Sequence, residues 1–161
     1  MTSISHSHSH LPHLMIRAVE VPPPGVRRIV PKALVYMFLR ETSRFTIESS
    51  WTPESALVEL TSQINQGRLA IVWQLGNPSI PVGFAICEQN ESGLVLSHFY
   101  IERRIPREQE SLVTQELFDK VVKAQMRRLG LQTVSVTAPL FSAQPIQLCL
   151  KGASVSRVGV Y

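Results

Sequence analysis

The sequence has few of the features that mark secreted or membrane proteins. Its 161 residues include only two cysteines, Cys87 and Cys149, which are too few for a disulfide framework, and no Cys/His cluster has the spacing of a zinc site. No apolar run approaches the ~20 residues that a membrane-spanning helix needs. The N-terminal residues do not resemble a secretory signal. We therefore expect a protein of a reducing compartment, either the cytoplasm or a complex assembled inside a cell.

Aromatic residues are also scarce, at 7% of the chain, and this bears on the meaning of the net charge of +4. Binding to nucleic acid needs a concentrated basic face interleaved with aromatic side chains. The arginine pairs at 27–28, 103–104 and 127–128 instead lie on different predicted elements. The charge suits an acidic protein partner or the phosphates of a coenzyme equally well. We expect no binding to nucleic acid and none to membranes.

The chain divides into a short arm and one domain. Residues 1–14 are a low-complexity arm rich in serine and histidine, in which no carboxylate or cysteine completes a metal site. We predict that the arm binds no metal and contacts a partner, either another protein or a second copy of the chain, in a larger assembly such as a virion. Residues 15–161 are long enough for a single domain with a substantial core.

Hydrophobic periodicity predicts an α/β domain with the element order β-α-α-β-β-β-α-β-α-β. Antiparallel strands followed by a β-α-β unit imply a mixed, mostly antiparallel sheet with helices on both faces. The predicted strands are 15–21, 68–75, 80–89, 94–101, 131–138 and 154–161, and the predicted helices begin near Pro31 and span about 53–66, 108–129 and 142–151.

Three of the predicted helices carry specific expectations. The first is apolar on nearly every side from Ala33 to Leu39, which predicts a deeply covered helix. The second has Thr52 as N-cap and Gly67 at its end. The third ends at Gly130. The predicted buried positions are Leu57, Leu60 and Ile64 on the second helix and Val113, Leu117, Val121 and Ala124 on the third. On the solvent side of the third helix, Glu116–Lys120 and Asp119–Lys123 have the i,i+4 spacing of ion pairs.

The element order and one long segment resemble the GNAT acetyltransferase superfamily. The segment HFYIERRIPREQESLVTQELFDKVVKAQMRRLG has that family's sequence of strand, proline-containing turn, amphipathic helix and terminal glycine. The resemblance implies that the fourth strand and the following helix bind acetyl-coenzyme A, and that the fourth and fifth strands separate to admit its pantetheine arm. The matching cofactor-binding positions are Ile101, Arg103, Arg104, Arg107, Gln109 and Ser111.

The chain departs from the family pattern where the coenzyme should bind. The family's glycine-rich loop lets backbone N–H groups approach the pyrophosphate at a helix N-terminus, but no glycine lies between Glu102 and Thr114. Glu108 and Glu110 fall in the first helical turn, where they would repel phosphate. At the position of the family's catalytic tyrosine this chain has Leu148, beside Cys149. These departures predict weak coenzyme binding at best.

His98 and Glu102 are the candidate general bases. Histidine can take a proton from an amine near neutral pH, directly or through water. Each residue also has a simpler interpretation, because His98 suits a hydrogen-bonded position within the sheet and Glu102 suits a surface ion pair.

Two functions remain open on the sequence. The lost glycines and the acidic first turn favour a non-catalytic structural or adaptor subunit of a larger assembly. The alternative is an acetyl-CoA-dependent N-acetyltransferase that acts on an amine of a small molecule or a protein. The sequence favours the non-catalytic subunit, for which no cofactor is expected. The cofactor of the alternative, the acetyltransferase, is acetyl-CoA.

Overall fold

The computed structural model describes residues 17–25, 29–43, 50–91, 93–139 and 153–158, with side chains as far as residue 137. The N-terminal arm, the predicted helix at 142–151 and Cys149 lie outside the described residues. The described elements are, in chain order, β1 (Arg17–Glu20), α1 (Lys32–Ser43), α2 (Pro53–Asn65), β2 (Leu69–Gln74), β3 (Ile80–Asn90), β4 (Gly93–Ile101), α3 (Arg107–Leu129), β5 (Val134–Pro139) and β6 (Ala153–Val158).

The six described strands form one sheet whose spatial order, β1 to β6, is the same as their order along the chain. Strands β1 to β4 pair antiparallel with their neighbours. Strands β4, β5 and β6 pair parallel. The predicted mixed and mostly antiparallel sheet is confirmed, and short turns between β2, β3 and β4 explain why those neighbours run antiparallel.

The helices cover the two faces of the sheet. The longest helix, α3, packs on one face, where its Leu117, Phe118 and Val121 form a core with buried strand residues. Helices α1 and α2 pack on the other face, where Phe38 and Leu60 meet Phe84 of the central strand. The predicted arrangement of helices on both faces is therefore confirmed for the part of the chain that the structure describes.

Two predictions about buried helix faces are wrong. Helix α1 is not covered on its outer side, where Tyr36 is 52% exposed. In α2 the inward face is centred on Ala56, Leu60 and Ile64, which leaves Leu57 at its edge and 44% exposed. Apolar composition alone does not show which side of a helix meets the sheet, because surfaces also carry apolar residues.

The predicted ends of α2 and α3 are confirmed. The Thr52 side chain accepts a hydrogen bond from the backbone N–H of Ser55, and the Ser55 hydroxyl accepts one from the backbone N–H of Thr52. Helix α3 ends at Gly130, whose φ of 67° lies in the left-handed region that favours glycine.

Pairing along α3 matches the predictions in part. Lys123 and Asp119 form the predicted ion pair at 3.1 Å. Glu116 instead contacts Arg17 of β1 at 3.6 Å, because strand β1 brings a nearer cation to that side of the helix. Toward the end of the helix the inward face moves to Gln125 and Met126, and Ala124 is only half-buried.

Burial makes the thiol of Cys87 unreactive. Cys87 is fully buried under α3, and burial raises the pKa of its thiol to about 12. In a Cys149→Ser variant, the folded protein should therefore release almost no chromophore from a disulfide reagent at pH 8, and one equivalent after denaturation. Rapid reaction of the folded variant would show that β3 is accessible from outside.

No helix among the described residues is long and apolar enough to cross a membrane.

Candidate functional site

An irregularity in β4 determines which of its side chains meet α1. The register between β3 and β4 shifts at Ile86 and Cys87, so that Ser97 is an extra residue in β4. Side chains of a strand alternate between its faces, and one extra residue inverts the alternation. Before it, Leu94 and Leu96 pack under α3. After it, the residues of β4 that face α1 are His98 and Tyr100.

His98 is held by a buried carboxylate from α1. Its Nδ1 lies 2.8 Å from Oε2 of Glu41, whose side chain is only 2% exposed. The imidazole ring also packs against Phe38, with ring centroids 5.0 Å apart. The His98 side chain is 22% exposed, and its Nε2 makes no hydrogen bond with any residue that the structure describes. The arrangement fixes the ring from one side and leaves the second nitrogen available to a ligand.

Glu102 lies directly after β4 and belongs to a second polar group beside the first. Its Oε1 is 3.5 Å from Nη1 of Arg40 on α1, and the Glu102 side chain is 17% exposed. Tyr100 hydrogen-bonds the same guanidinium, which raises the pKa of Arg40, and the charges of Tyr100 and Glu102 add to this effect. The ion pair suggested for Glu102 is therefore present, although its carboxylate is more buried than a typical surface pair.

Strands β4 and β5 stay together for only two residue pairs. Leu94 and Val95 pair with Val136 and Thr137, and β4 then continues to Ile101 without a further pairing to β5 in the described part of the chain. The backbone N–H of Glu102 bonds Val82 of β3 at 2.8 Å. Since backbone groups alternate along an antiparallel strand, those of Phe99 and Ile101 face the opposite edge, toward β5.

The loop before α3 exposes three arginines. Arg103 and Arg104 lie in the turn after β4 and Arg107 opens α3, and none of them forms an ion pair with a described residue. Pro106 is the N-cap and has no side-chain group that could cap the helix. The buried Ile105 anchors this loop in the core under α3.

Of the remaining candidate residues, some are exposed to solvent and others are packed in the core. Ser111 is exposed in the first turns of α3, as are Glu108 and Glu110. Gln109 is buried, and Ile101 packs against the core under α3. The structure therefore brings His98 and Glu102 together beside α1, and it places the three arginines and Ser111 together at the start of α3.

Glu41 and Arg40 on α1 belong to this site, and the sequence analysis did not select them. The signal was present, because Glu41 is a charged residue that continues the buried face of the preceding apolar run Ala33–Leu39. Glu41 follows Phe38 by three positions and Met37 by four, so it falls on the same helical face as these two core residues. A carboxylate on the buried face of a helix is rare enough to be a useful indicator of a site.

Comparisons of the chain with protein-family models, with curated proteins and with solved structures find no match. Among the described residues, no group of three or more histidine, cysteine, aspartate or glutamate side chains could hold a metal ion.

Proposed function

We propose that this chain is a GNAT-like acyltransferase domain that transfers an acetyl group from acetyl-CoA to an amine, with His98 as general base. The observation that carries the proposal is the contact of 2.8 Å between His98 and the buried Glu41. A carboxylate that binds one ring nitrogen of a histidine fixes the orientation and the tautomer of the ring, and its second nitrogen can then accept a proton.

The contact between His98 and Glu41 is not expected to contribute much to the stability of the fold. Burying a carboxylate costs several kcal/mol unless its partners compensate, and apolar residues of similar size usually pack at least as well. Glu41 is 2% exposed and His98 is its partner in the structure. Ionisable groups in such costly settings are enriched at functional sites.

We place the thioester beside the C-terminal half of β4, which follows its two pairings with the described part of β5. Acetyl-CoA, when bound, provides an acetyl group activated as a thioester. The backbone N–H of Ile101 faces away from β3, where it can donate to the carbonyl oxygen on which negative charge develops. His98 Nε2 takes the proton that the attacking amine loses as the C–N bond forms. The C–S bond then breaks, the departing thiolate takes a proton from solvent water, and His98 returns its own proton to solvent.

The exposed arginines at the start of α3 provide charge complementarity to the coenzyme phosphates. Arg103, Arg104 and Arg107 lie within five residues, and guanidinium groups bind phosphate with charge-assisted hydrogen bonds. Glu108 and Glu110 oppose them in the first turn. We therefore propose binding through side chains instead of a glycine cradle, with an affinity that falls as salt rises.

A non-catalytic subunit is the second candidate, and exposed apolar side chains favour it. Ile29 and Tyr36 lie just before and on α1, and Leu57 and Val58 lie on α2, which covers the same face of the sheet. Large exposed apolar side chains on one side of a domain are typical of association surfaces. This candidate accounts for those residues but gives no role to the His98–Glu41 contact.

Release of free thiol from acetyl-CoA distinguishes the two candidates. Purified protein is incubated with acetyl-CoA and one amine per reaction. The amines are a polyamine, an amino sugar, a peptide with a free N-terminus and a peptide with an internal lysine. The proposal predicts release that depends on both enzyme and amine for at least one class. Absence of release with every amine, together with a well-folded protein, would favour the non-catalytic subunit.

A further inference from the structure

We propose that a second site, a cleft between the end of β1 and the C-terminal half of α3, binds an extended acidic peptide segment of a partner protein. The cleft has a volume of about 920 Å³. One wall consists of Val19–Val21 and the three prolines that follow, and the other consists of α3 residues between Asp119 and Arg128.

The charges that face the cleft are mostly positive. Its lining contains four cations, Lys120, Lys123, Arg127 and Arg128, and two carboxylates, Glu20 and Asp119. Both carboxylates have partners within the protein. Asp119 pairs with Lys123 at 3.1 Å, and Glu20 accepts a hydrogen bond of 3.2 Å from the indole of Trp73. Arg128 donates to the amide oxygen of Gln125 at 2.8 Å but keeps its positive charge.

Lys120 and Arg127 are the cations available to a partner. Neither makes a hydrogen bond or an ion pair with any residue in the described part of the chain. They are seven positions apart on α3, which places them on one face about 10 Å apart along the helix axis. An extended peptide in the polyproline II conformation, with three residues per turn and a rise of about 3.1 Å per residue, places side chains three positions apart on one side, about 9 Å from each other. Acidic side chains three positions apart in a peptide therefore match the two cations.

The apolar wall favours a peptide over a nucleic acid. The exposed Pro23 and Pro24, beside the partly buried Val21, give a surface for aliphatic side chains, and the fixed φ of proline keeps it rigid before binding. Among the described residues that line the cleft none is aromatic, whereas single-stranded nucleic acids bind largely by stacking on aromatic rings.

This site is separate from the proposed acetyl-transfer site. Arg107 and Ala124 are seventeen residues apart on the same helix, which corresponds to about 25 Å. The inference therefore does not depend on whether the protein is an enzyme. It also provides an explanation for the net positive charge of the chain.

The test is fluorescence anisotropy of a labelled ten-residue oligoglutamate peptide, with oligoglutamine as the uncharged control. We expect dissociation constants of tens of micromolar for oligoglutamate at about 50 mM salt, and binding several-fold weaker at about 200 mM. The variant Lys120→Glu/Arg127→Glu should weaken binding at least tenfold, because it replaces attraction with repulsion. Oligoglutamine should not bind.

A matched variant, Arg103→Glu/Arg104→Glu, changes the net charge by the same amount at the other end of α3. It should bind oligoglutamate within about twofold of the unmodified protein, since those charges lie beyond a Debye length from the cleft. Equal losses in the two variants would show that only net charge matters and would overturn the proposal. Tighter binding of a single-stranded oligonucleotide than of oligoglutamate would also overturn it. Thermal melts of both variants establish that they are folded.

Discussion

Replacing His98 by asparagine should lower kcat/KM for acetyl transfer by about 10² to 10⁴, the usual contribution of a general base. The amide nitrogen of asparagine lies near the position of Nδ1 and can still donate to Glu41, so the variant keeps the internal hydrogen bond and loses the base. The measurement is thiol release with the best amine substrate. Far-ultraviolet circular dichroism and a thermal melt control for folding. A variant that keeps more than half of the activity would contradict the assigned role.

Glu41→Gln separates positioning from proton transfer. The glutamine oxygen can still accept a hydrogen bond from Nδ1, but the negative charge that stabilises a protonated ring is lost. We expect a decrease of about 10- to 100-fold, as for other residues that position a functional histidine. Because the two residues act as a unit, the double variant with His98→Asn should be no slower than His98→Asn alone. Independent, additive losses would show that Glu41 acts elsewhere.

Replacing Gly93 by alanine should lower the free energy of unfolding by about 3 kcal/mol or more, because strain and steric overlap add. Gly93 begins β4 with a φ of 148°, a backbone conformation that is essentially restricted to glycine. A Cβ atom there would overlap the backbone carbonyl of Ser135 on β5. The strands would have to move apart next to the two residue pairs that join them in the described part of the chain. Chemical denaturation measures the loss, and the expected decrease in Tm is about 6–12 °C.

Gly130→Ala is the matched control for that substitution. Gly130 also has a positive φ, of 67°, but a Cβ atom there would meet no atom within 4 Å. Only the backbone strain remains, which costs about 1 kcal/mol. A loss at Gly93 no larger than the loss at Gly130 would show that β5 is not held against the start of β4.

The strands were predictable because local sequence determines them. Alternation and turn residues placed β2, β3 and β4 within one or two residues of their observed bounds, since Gly, Pro, Asn and Ser separate these strands. The orientation of helices was less predictable. Tyr36 and Leu57 are exposed because of how α1 and α2 rest on the sheet, and that depends on partners distant in sequence.

The candidate site was predictable only in part. His98 could be selected from its polar neighbours near the end of the fourth strand. Its partner could not, because the contact with Glu41 joins residues 57 positions apart and depends on the extra residue Ser97 in β4. In a strand with regular alternation, His98 would lie two positions after Leu96 and would therefore face the core under α3 together with it. Register irregularities of this kind arise from pairing with β3, so β4 alone does not reveal them.

Isothermal titration with desulfo-coenzyme A tests the central claim most directly, because this ligand binds without reacting and needs no known acceptor. The account predicts binding with a dissociation constant in the micromolar range, about −8 kcal/mol at 1 µM, which weakens as salt rises and when Arg103 and Arg104 are replaced by glutamine. Absence of detectable binding at millimolar ligand to the folded protein would contradict it.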